Sequence, residues 1–373
     1  MKQAVISGTG LFTPPNAISN DELVACFNTY VEQFNAEHAD AIAAGTVTAL
    51  EPSSSAFIEK ASGIKSRYVM EKAGILDPKR MVPDIAERSD EELSLQAEIC
   101  VKAAQQALDR AGRTPADIDM VLVACSNMQR PYPAMAVEVQ QALGIDGYGF
   151  DMNVACSSAT FGIQTAVAAV ESGQARAVLI LNPEITSGHL NWRDRDSHFI
   201  FGDACTAIVV ELAENAVSQH QFLVLDTKLK TSFSNNIRNN FGFMNRFDED
   251  GIGQPDKLFR QQGRKVFKDV CPMAAEMIKN SIASAGLEVP QVSRYWLHQA
   301  NLNMNQLIAR MILGRDAEPA EAPVILDSYA NTSSAGSVIA FHKYQDDLPQ
   351  GAYGVICSFG AGYSIGSVVV QKR

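Results

Sequence analysis

Short apolar runs that do not alternate with polar residues recur along the chain at 3–8, 120–125, 177–181, 206–211, 353–357 and 365–370. Runs of this kind, rich in Val, Ile and Leu, suit strands covered on both faces. Helical periods lie between them. Over 91–111, Leu95, Ile99, Ala103, Ala107 and Ala111 share one face, and Gly112 and Pro115 supply the stop. Over 265–285, Val266, Val270, Met273, Met277 and Ile278 repeat the pattern. Alternating strand and helix predict an α/β fold with largely parallel sheets.

The pattern also echoes itself. Ala111-Gly112-x-x-Pro115, a strand at Met120–Cys125 and Ser126 are answered by Ala285-Gly286-x-x-x-Pro290, a short strand at Tyr295–Leu297 and His298. Gly112 and Gly286 stand about 174 residues apart, near half the chain, as two similar packed halves require. The expected division is 1–215 and 216–373. Residues 24–56, with Tyr30, Phe34 and an Ala-rich stretch, read as an inserted helical excursion, and 227–262, rich in Asn, Gly and Phe, as a long loop.

Composition narrows the function classes. The 373 residues are 46% hydrophobic and 20% charged, enough to bury a large core, which excludes disorder and a disulfide-stapled mini-fold. No stretch approaches the ~20 apolar residues that span a bilayer, and the N-terminus reads as a first strand, so a cytoplasmic placement is expected. With 31 basic and 42 acidic residues the net charge is −11, unfavourable for nucleic acid or an anionic membrane. None of the seven cysteines forms a C-x-x-C pair, and no His/Cys cluster has metal-ligand spacing.

Four segments carry candidate chemistry. In Asp151-Met152-Asn153-Val154-Ala155-Cys156-Ser157-Ser158, the cysteine precedes a helical period, where the macrodipole and unpaired N–H groups favour a thiolate and lower its pKa. Cys156 then reads as a nucleophile for thioesters, or as a buried cap, a place Ser157 could equally fill. Leu297-His298-Gln299-Ala300-Asn301 lies at a strand end, where sites of parallel sheets collect. His38, His189, His220 and His342 fall in loops or on helix surfaces, and His198 is a weaker rival to His298. Asn331-Thr332-Ser333-Ser334-Ala335-Gly336-Ser337 precedes a helix, so Asn331 is either a ligand contact or a cap. Ser358-Phe359-Gly360-Ala361-Gly362-Tyr363 is either a Gly-rich turn or a close-approaching backbone with an oxyanion donor.

The set in this order (Cys, HQAN, NTSSAGS, FGAG) resembles the β-ketoacyl-ACP synthase III family of the thiolase fold, over nearly the whole chain. Gly63-Ile64-Lys65-Ser66-Arg67 is similar to its GI-x-x-R turn, and Trp192-x-Asp194-Arg195 ahead of Phe201-Gly202-Asp203-Ala204 to its WTDR…FGDG stretch. The insert, DMNVACSSATFG and Gln129-Arg130-Pro131-Tyr132-Pro133 most resemble the branch that takes medium-chain acyl-CoA primers, the β-ketodecanoyl-ACP synthases.

The resemblance implies a layered α-β-α-β-α fold and a homodimer. It implies that Cys156 takes an acyl group from acyl-CoA, after which malonyl-ACP loses CO2 and its carbanion attacks the acyl-enzyme, giving 3-oxoacyl-ACP for fatty acid biosynthesis. His298 and Asn331 would hold the enolate oxygen, and the N–H groups of Cys156 and Ala361 the oxyanion. Arg195, Trp192 and Phe57 match CoA contacts, and Tyr132 an aromatic at the primer tunnel. No metal or redox cofactor is implied; the CoA thioester is a substrate.

Three positions depart from the family pattern. Ala361 interrupts a Gly-Gly-Gly turn, Asn303 replaces an arginine that helps dock ACP, and Arg264 replaces an asparagine near pantetheine. Arg264, Lys265, Lys268 and Arg310 are the basic residues available instead. A papain-like hydrolase lacks its C-G-[SA]-C-[WY] here, and Cys357 sits one position early for a thiolase acid/base. A non-catalytic binding module is disfavoured by the three side chains together. A related thiolase-fold acyltransferase, or an enzyme condensing two CoA esters in secondary metabolism, is the alternative function.

Overall fold

The structure, a computed structural model, describes residues 2–248, 250–252 and 254–373. Its main sheet has nine strands: β1 (Ala4–Phe12), β2 (Met120–Ala124), β3 (Tyr148–Met152), β4 (Ala177–Glu184), β5 (Ala204–Leu212), β6 (Phe222–Ser234), β7 (Val292–Leu297), β8 (Tyr353–Gly360) and β9 (Gly362–Lys372). The spatial order is β7-β8-β9-β6-β1-β5-β4-β2-β3. Matching β2 to β7, β4 to β8, β5 to β9 and β1 to β6 leaves only β3 without a counterpart, so the second half repeats the winding of the first. The halves join where β1 meets β6 at Val5↔Leu223 and Ile6↔Phe222.

The sheet is mixed, contrary to the expectation of largely parallel pairing. Among the described residues only the strand pairs β2·β3, β2·β4 and β7·β8 are parallel. Each half ends in a strand that turns back on its predecessor, β5 on β4 and β9 on β8. Two strand assignments also change. The region 227–262 is not all loop, because β6 runs to Ser234. The edge strand β3 lies outside every apolar run.

The longer helices are α1 (Asn20–Glu37), α2 (Ser55–Ser62), α3 (Leu95–Ala111), α4 (Met135–Leu143), α5 (Ser158–Ser172), α6 (Gly263–Ser284), α7 (Leu302–Leu313) and α8 (Ala335–Lys343). None among the described residues is long and apolar enough to cross a membrane. α3 starts later than its periodicity suggests because Ser94 caps the Ala97 N–H, and it stops at Gly112 with φ +65°.

Successive residues of β2 bury opposite faces. Leu122 joins the central core around α5 and α8, with Ile180, Ile208, Ile356 and Val368; Val121 and Val123 join a second core under α3 and α4. A third core lies under α6 and α7. The layers therefore run α-β-α-β-α, with α5 and α8 innermost. β1 admits α3 closely, since a Cβ on Gly8 or Gly10 would lie 2.1 Å and 2.0 Å from the Ala107 and Ala103 carbonyl oxygens. Residues 24–56 add α1 and a short helix, packing Phe27 and Val31 onto Ile58, Trp192 and Phe199.

Candidate active site

Cys156 occupies a turn, Ala155–Ser157, between β3 and α5. Ala155 is held at φ +47°, sparsely populated for a residue with a Cβ. Asn153 Oδ1 accepts from the Ala155 N–H at 2.9 Å, and Ser158 Oγ accepts from the Val154 N–H at 2.9 Å. Ser157 holds the N-cap position, but its side chain makes no capping bond; its hydroxyl donates to the Ser364 carbonyl at 3.0 Å, stitching the turn to β9.

The C-terminal half meets the thiol there. Ser333 Oγ donates to Cys156 Sγ at 3.4 Å, and the N–H groups of Ala361 and of Cys156 itself also point at the sulfur. Gly360 is in contact with it: a Cβ on Gly360 would lie 2.6 Å from Cys156 Cβ and 3.0 Å from Sγ. Burial pushes the thiol up to about 11, with the Glu184 carboxylate adding to the rise against the Ser333 hydroxyl and the two N–H groups. The expectation of a lowered thiol pKa is therefore reversed. The helix N-terminus is present, but loss of hydration outweighs it, and the resting side chain is a thiol.

His298 follows β7, and its ring meets Phe359 edge-on with centroids 5.1 Å apart. Burial pushes the imidazole down to about 4, opposed by the Ser333 carbonyl, so it is neutral and keeps one N–H. Asn331 is fixed at both ends: its N–H donates to the Ile200 carbonyl at 2.9 Å, and its Oδ1 accepts from the Ser333 N–H at 2.9 Å. With the carboxamide oxygen engaged, the Nδ2 donor end is left for a ligand. Cys156, His298 and Asn331 line one cavity of about 430 Å³, walled by Phe199, Phe201, Phe259, Phe267 and Met304, with Arg264 and Asn303 on it as well.

The other histidines are held elsewhere. His198 stacks on Phe27 at 4.4 Å and meets the Arg195 carbonyl through Nδ1. His342, expected on a surface, bonds Thr9 Oγ1 at 2.8 Å.

The predicted CoA and primer residues divide. Arg195 stacks its guanidinium over Phe57 at 4.3 Å and donates through Nε to the Pro52 carbonyl at 2.8 Å. These two pair with each other next to the cavity rather than lining it. Trp192 is not available as a CoA contact: it is 1% exposed and donates Nε1–H to the Ser187 carbonyl, a core role. Tyr132 does not border the cavity of its own chain; it is 82% exposed on the loop before α4. Residues 24–56 do not line the cavity either, but back the loop that carries Arg195. Arg310 is paired with Asp316 at 2.6 Å. Among the described residues, no group of three or more His, Cys, Asp or Glu is placed to hold a metal ion.

Ser333 and Glu184 escaped sequence reasoning as individual residues. Ser333 stood inside a noticed motif, but nothing in the string says that its hydroxyl meets the thiol. Glu184 lies three residues beyond the apolar run 177–181 and gave no signal.

Comparison with known proteins adds to this geometry. The family described as 3-oxoacyl-[acyl-carrier-protein (ACP)] synthase III matches residues 150–232, and its C-terminal part residues 282–372. The chain is 70% identical over 347 residues to a β-ketodecanoyl-[acyl-carrier-protein] synthase of Pseudomonas aeruginosa, covering 93% of this chain and 99% of that one. The chain belongs to the 3-oxoacyl-ACP synthase III family. It is accordingly an acyl-transferring condensing enzyme. A β-ketoacyl-[acyl-carrier-protein] synthase III of Granulibacter bethesdensis is 27% identical over the full length of both chains. The solved 3-oxoacyl-(acyl carrier protein) synthase III of Pseudomonas aeruginosa shares the fold, with TM-score 0.76 and 21% identity over 99% of this chain and 98% of that one.

Proposed function

We propose that this chain condenses a medium-chain acyl-CoA primer with malonyl-ACP in fatty acid biosynthesis, with Cys156, His298 and Asn331 as its catalytic residues. The observation that carries the reading is the sulfur of Cys156, contacted by the Ser333 hydroxyl and the Ala361 N–H, in one cavity with two neutral donors, His298 and Asn331.

In the first stage Sγ attacks the primer thioester carbonyl and the thiol proton leaves with the departing CoA sulfur. The N–H groups of Cys156 and Ala361 face the developing oxyanion. In the second stage malonyl-ACP loses CO2, and its thioester oxygen gathers charge as the enolate forms. His298 and Asn331 donate to that oxygen, each donor giving a rate effect of about 10²–10³. The carbanion attacks the acyl-cysteine carbonyl, Cys156 leaves as thiolate and is reprotonated, and 3-oxoacyl-ACP departs.

Arg195 and Phe57 hold the CoA nucleotide, and Arg264 stands where the carrier's pantetheine enters. The chain acts as a cytoplasmic homodimer in this reading. Edge strand β3 presents exposed Tyr148 and Phe150 for pairing with the second copy, and Tyr132 is exposed as well. The test is a primer series from acetyl- to dodecanoyl-CoA, read by intact mass for acylation, then chased with malonyl-ACP or malonyl-CoA. An acyl adduct lost in Cys156→Ser, and turnover greatest with C8–C10 primers and malonyl-ACP, is expected. Preference for acetyl-CoA would reject the primer class, and preference for malonyl-CoA would favour the condenser of two CoA esters.

A further inference from the structure

Glu184 ends β4 and is 1% exposed, a buried acid that the mechanism above does not use. Among the described residues no basic side chain pairs with it; four donors do. The Ser126 N–H and Oγ–H reach it at 3.0 Å and 2.5 Å, the Ser334 N–H at 3.1 Å, and the Ser334 hydroxyl closer still. All four donate, which suits an ionised acceptor.

Each arm leads to the thiol. Ser334 adjoins Ser333, whose hydroxyl meets Cys156 and whose N–H is held by Asn331. On the other arm, the Ser126 carbonyl accepts from Asn153 Nδ2 at 2.8 Å, and Asn153 Oδ1 fixes the Ala155 N–H beside Cys156. We propose that Glu184 is the positioning residue of this site, clamping the Asn331–Ser334 loop of one half to the Asn153–Cys156 turn of the other and so setting the sulfur against its donors.

Its charge bears on the same atom. Burial pushes the carboxyl up to about 7 against the four donors, and the ionised form raises the Cys156 thiol. Glu184 itself does not line the cavity; among the described residues the charged groups on it are Asp196 and Arg264, with His298 neutral.

This inference rests on the condensing role of Cys156, but its test has a readout independent of turnover. Glu184→Gln keeps the reach, removes the charge and replaces one acceptor oxygen with an NH2 donor. The midpoint pH of Cys156 alkylation by iodoacetamide, followed by mass spectrometry without substrate, is expected to fall by about one unit. With octanoyl-CoA and malonyl-ACP, kcat is expected to fall at least about tenfold, KM staying within about twofold, since a displaced thiol slows chemistry more than binding. Glu184→Asp restores the midpoint but not kcat, because its shorter arm cannot reach both serines. A folded Glu184→Gln enzyme with an unmoved midpoint, or with kcat within twofold of wild type, overturns the proposal. Should that variant not fold, Ser126→Ala, Ser334→Ala and the double variant carry the test. Non-additive losses of kcat support the clamp, and wild-type kcat in both single variants overturns it. If the wild-type enzyme acylates but never condenses, the functional reading fails while the midpoint shift still stands.

Discussion

Gly360→Ala adds one methyl group directly onto the reacting centre. Its Cβ would lie 2.6 Å from Cys156 Cβ and 3.0 Å from Sγ, so relief to ordinary carbon contact needs a shift of about 1 Å. The two segments cannot simply part. Ser157 Oγ donates to the Ser364 carbonyl at 3.0 Å, and Ser364 Oγ reaches the Val154 carbonyl at 3.3 Å and the Ala361 carbonyl at 2.8 Å. The shift therefore falls on the thiol and on its 3.4 Å bond from Ser333. A misplacement of about 1 Å costs on the order of 10²-fold in rate, while overpacking lowers stability by about 1–3 kcal/mol. The assay is single-turnover acylation by octanoyl-CoA, read as the acyl-enzyme mass against time, with a thermal melt on the same sample. The control is Ala361→Gly, which keeps the backbone N–H, removes a half-buried methyl and is expected to acylate within about threefold of wild type. A folded Gly360→Ala enzyme that acylates at the wild-type rate would refute the steric reasoning.

His298→Ala is expected to acylate near the wild-type rate but to lose about 10²–10³-fold in condensation, seen as an acyl-enzyme that persists when malonyl-ACP is added. Arg195→Ala is expected to raise KM for octanoyl-CoA severalfold and leave KM for octanoyl-pantetheine unchanged; equal effects on both would remove Arg195 from nucleotide binding. Stability should fall on acidification. Burial pushes His189, His198, His298 and His342 down to about 4, so between pH 6.5 and 4 the unfolded chain takes up protons that these four refuse when folded. Glu184 and Asp203, pushed up to about 7 and about 6, act in the opposite sense, holding protons in the fold that the unfolded chain has released. The histidines outnumber the carboxyls, so stability is full above about pH 6.5 and drops by up to about 2–3 kcal/mol per pH unit below 6. A melting temperature flat from pH 7 to pH 5 would contradict this.

What could be read from the string depended on whether one face of an element or its tertiary partners decided its character. α3 was legible because Ile99, Ala103 and Ala107 share a single buried stripe. β2 and β4 were legible because both faces are covered. β3 was not, because an edge strand reading Tyr-Gly-Phe-Asp-Met keeps its residues half in solvent. β6 was not legible for a related reason: Lys228, Lys230 and Thr231 lie on its less buried stretch. At the site, the chain order of Cys156, His298 and Asn331 was enough to nominate them. The state of the thiol was not, since it depends on burial and on Glu184, which arrives from another strand. Trp192 failed as a ligand contact because a motif fixes a residue's identity and not the direction of its side chain.

The site's position between the repeated halves bears on how a protonated thiol would serve as the nucleophile of the proposed reaction. α5 and α8 are the innermost helices, and the turns before them carry Cys156 on one side and Asn331 and Ser333 on the other. Both N-termini thus approach one point from opposite halves, and each brings a positive dipole end. A resting thiolate gains little there, because lost hydration and the Glu184 charge raise the thiol to about 11. In the proposed reaction an oxyanion on the attacked carbonyl is different, since it would form beside the Cys156 and Ala361 N–H groups, which stand at the sulfur before that charge exists. The field therefore favours charge that appears during reaction over charge held at rest, which is the differential stabilisation a catalyst needs. Neither half alone supplies it: the first carries the sulfur and Glu184, while the second carries Ser333, His298, Asn331 and Ala361.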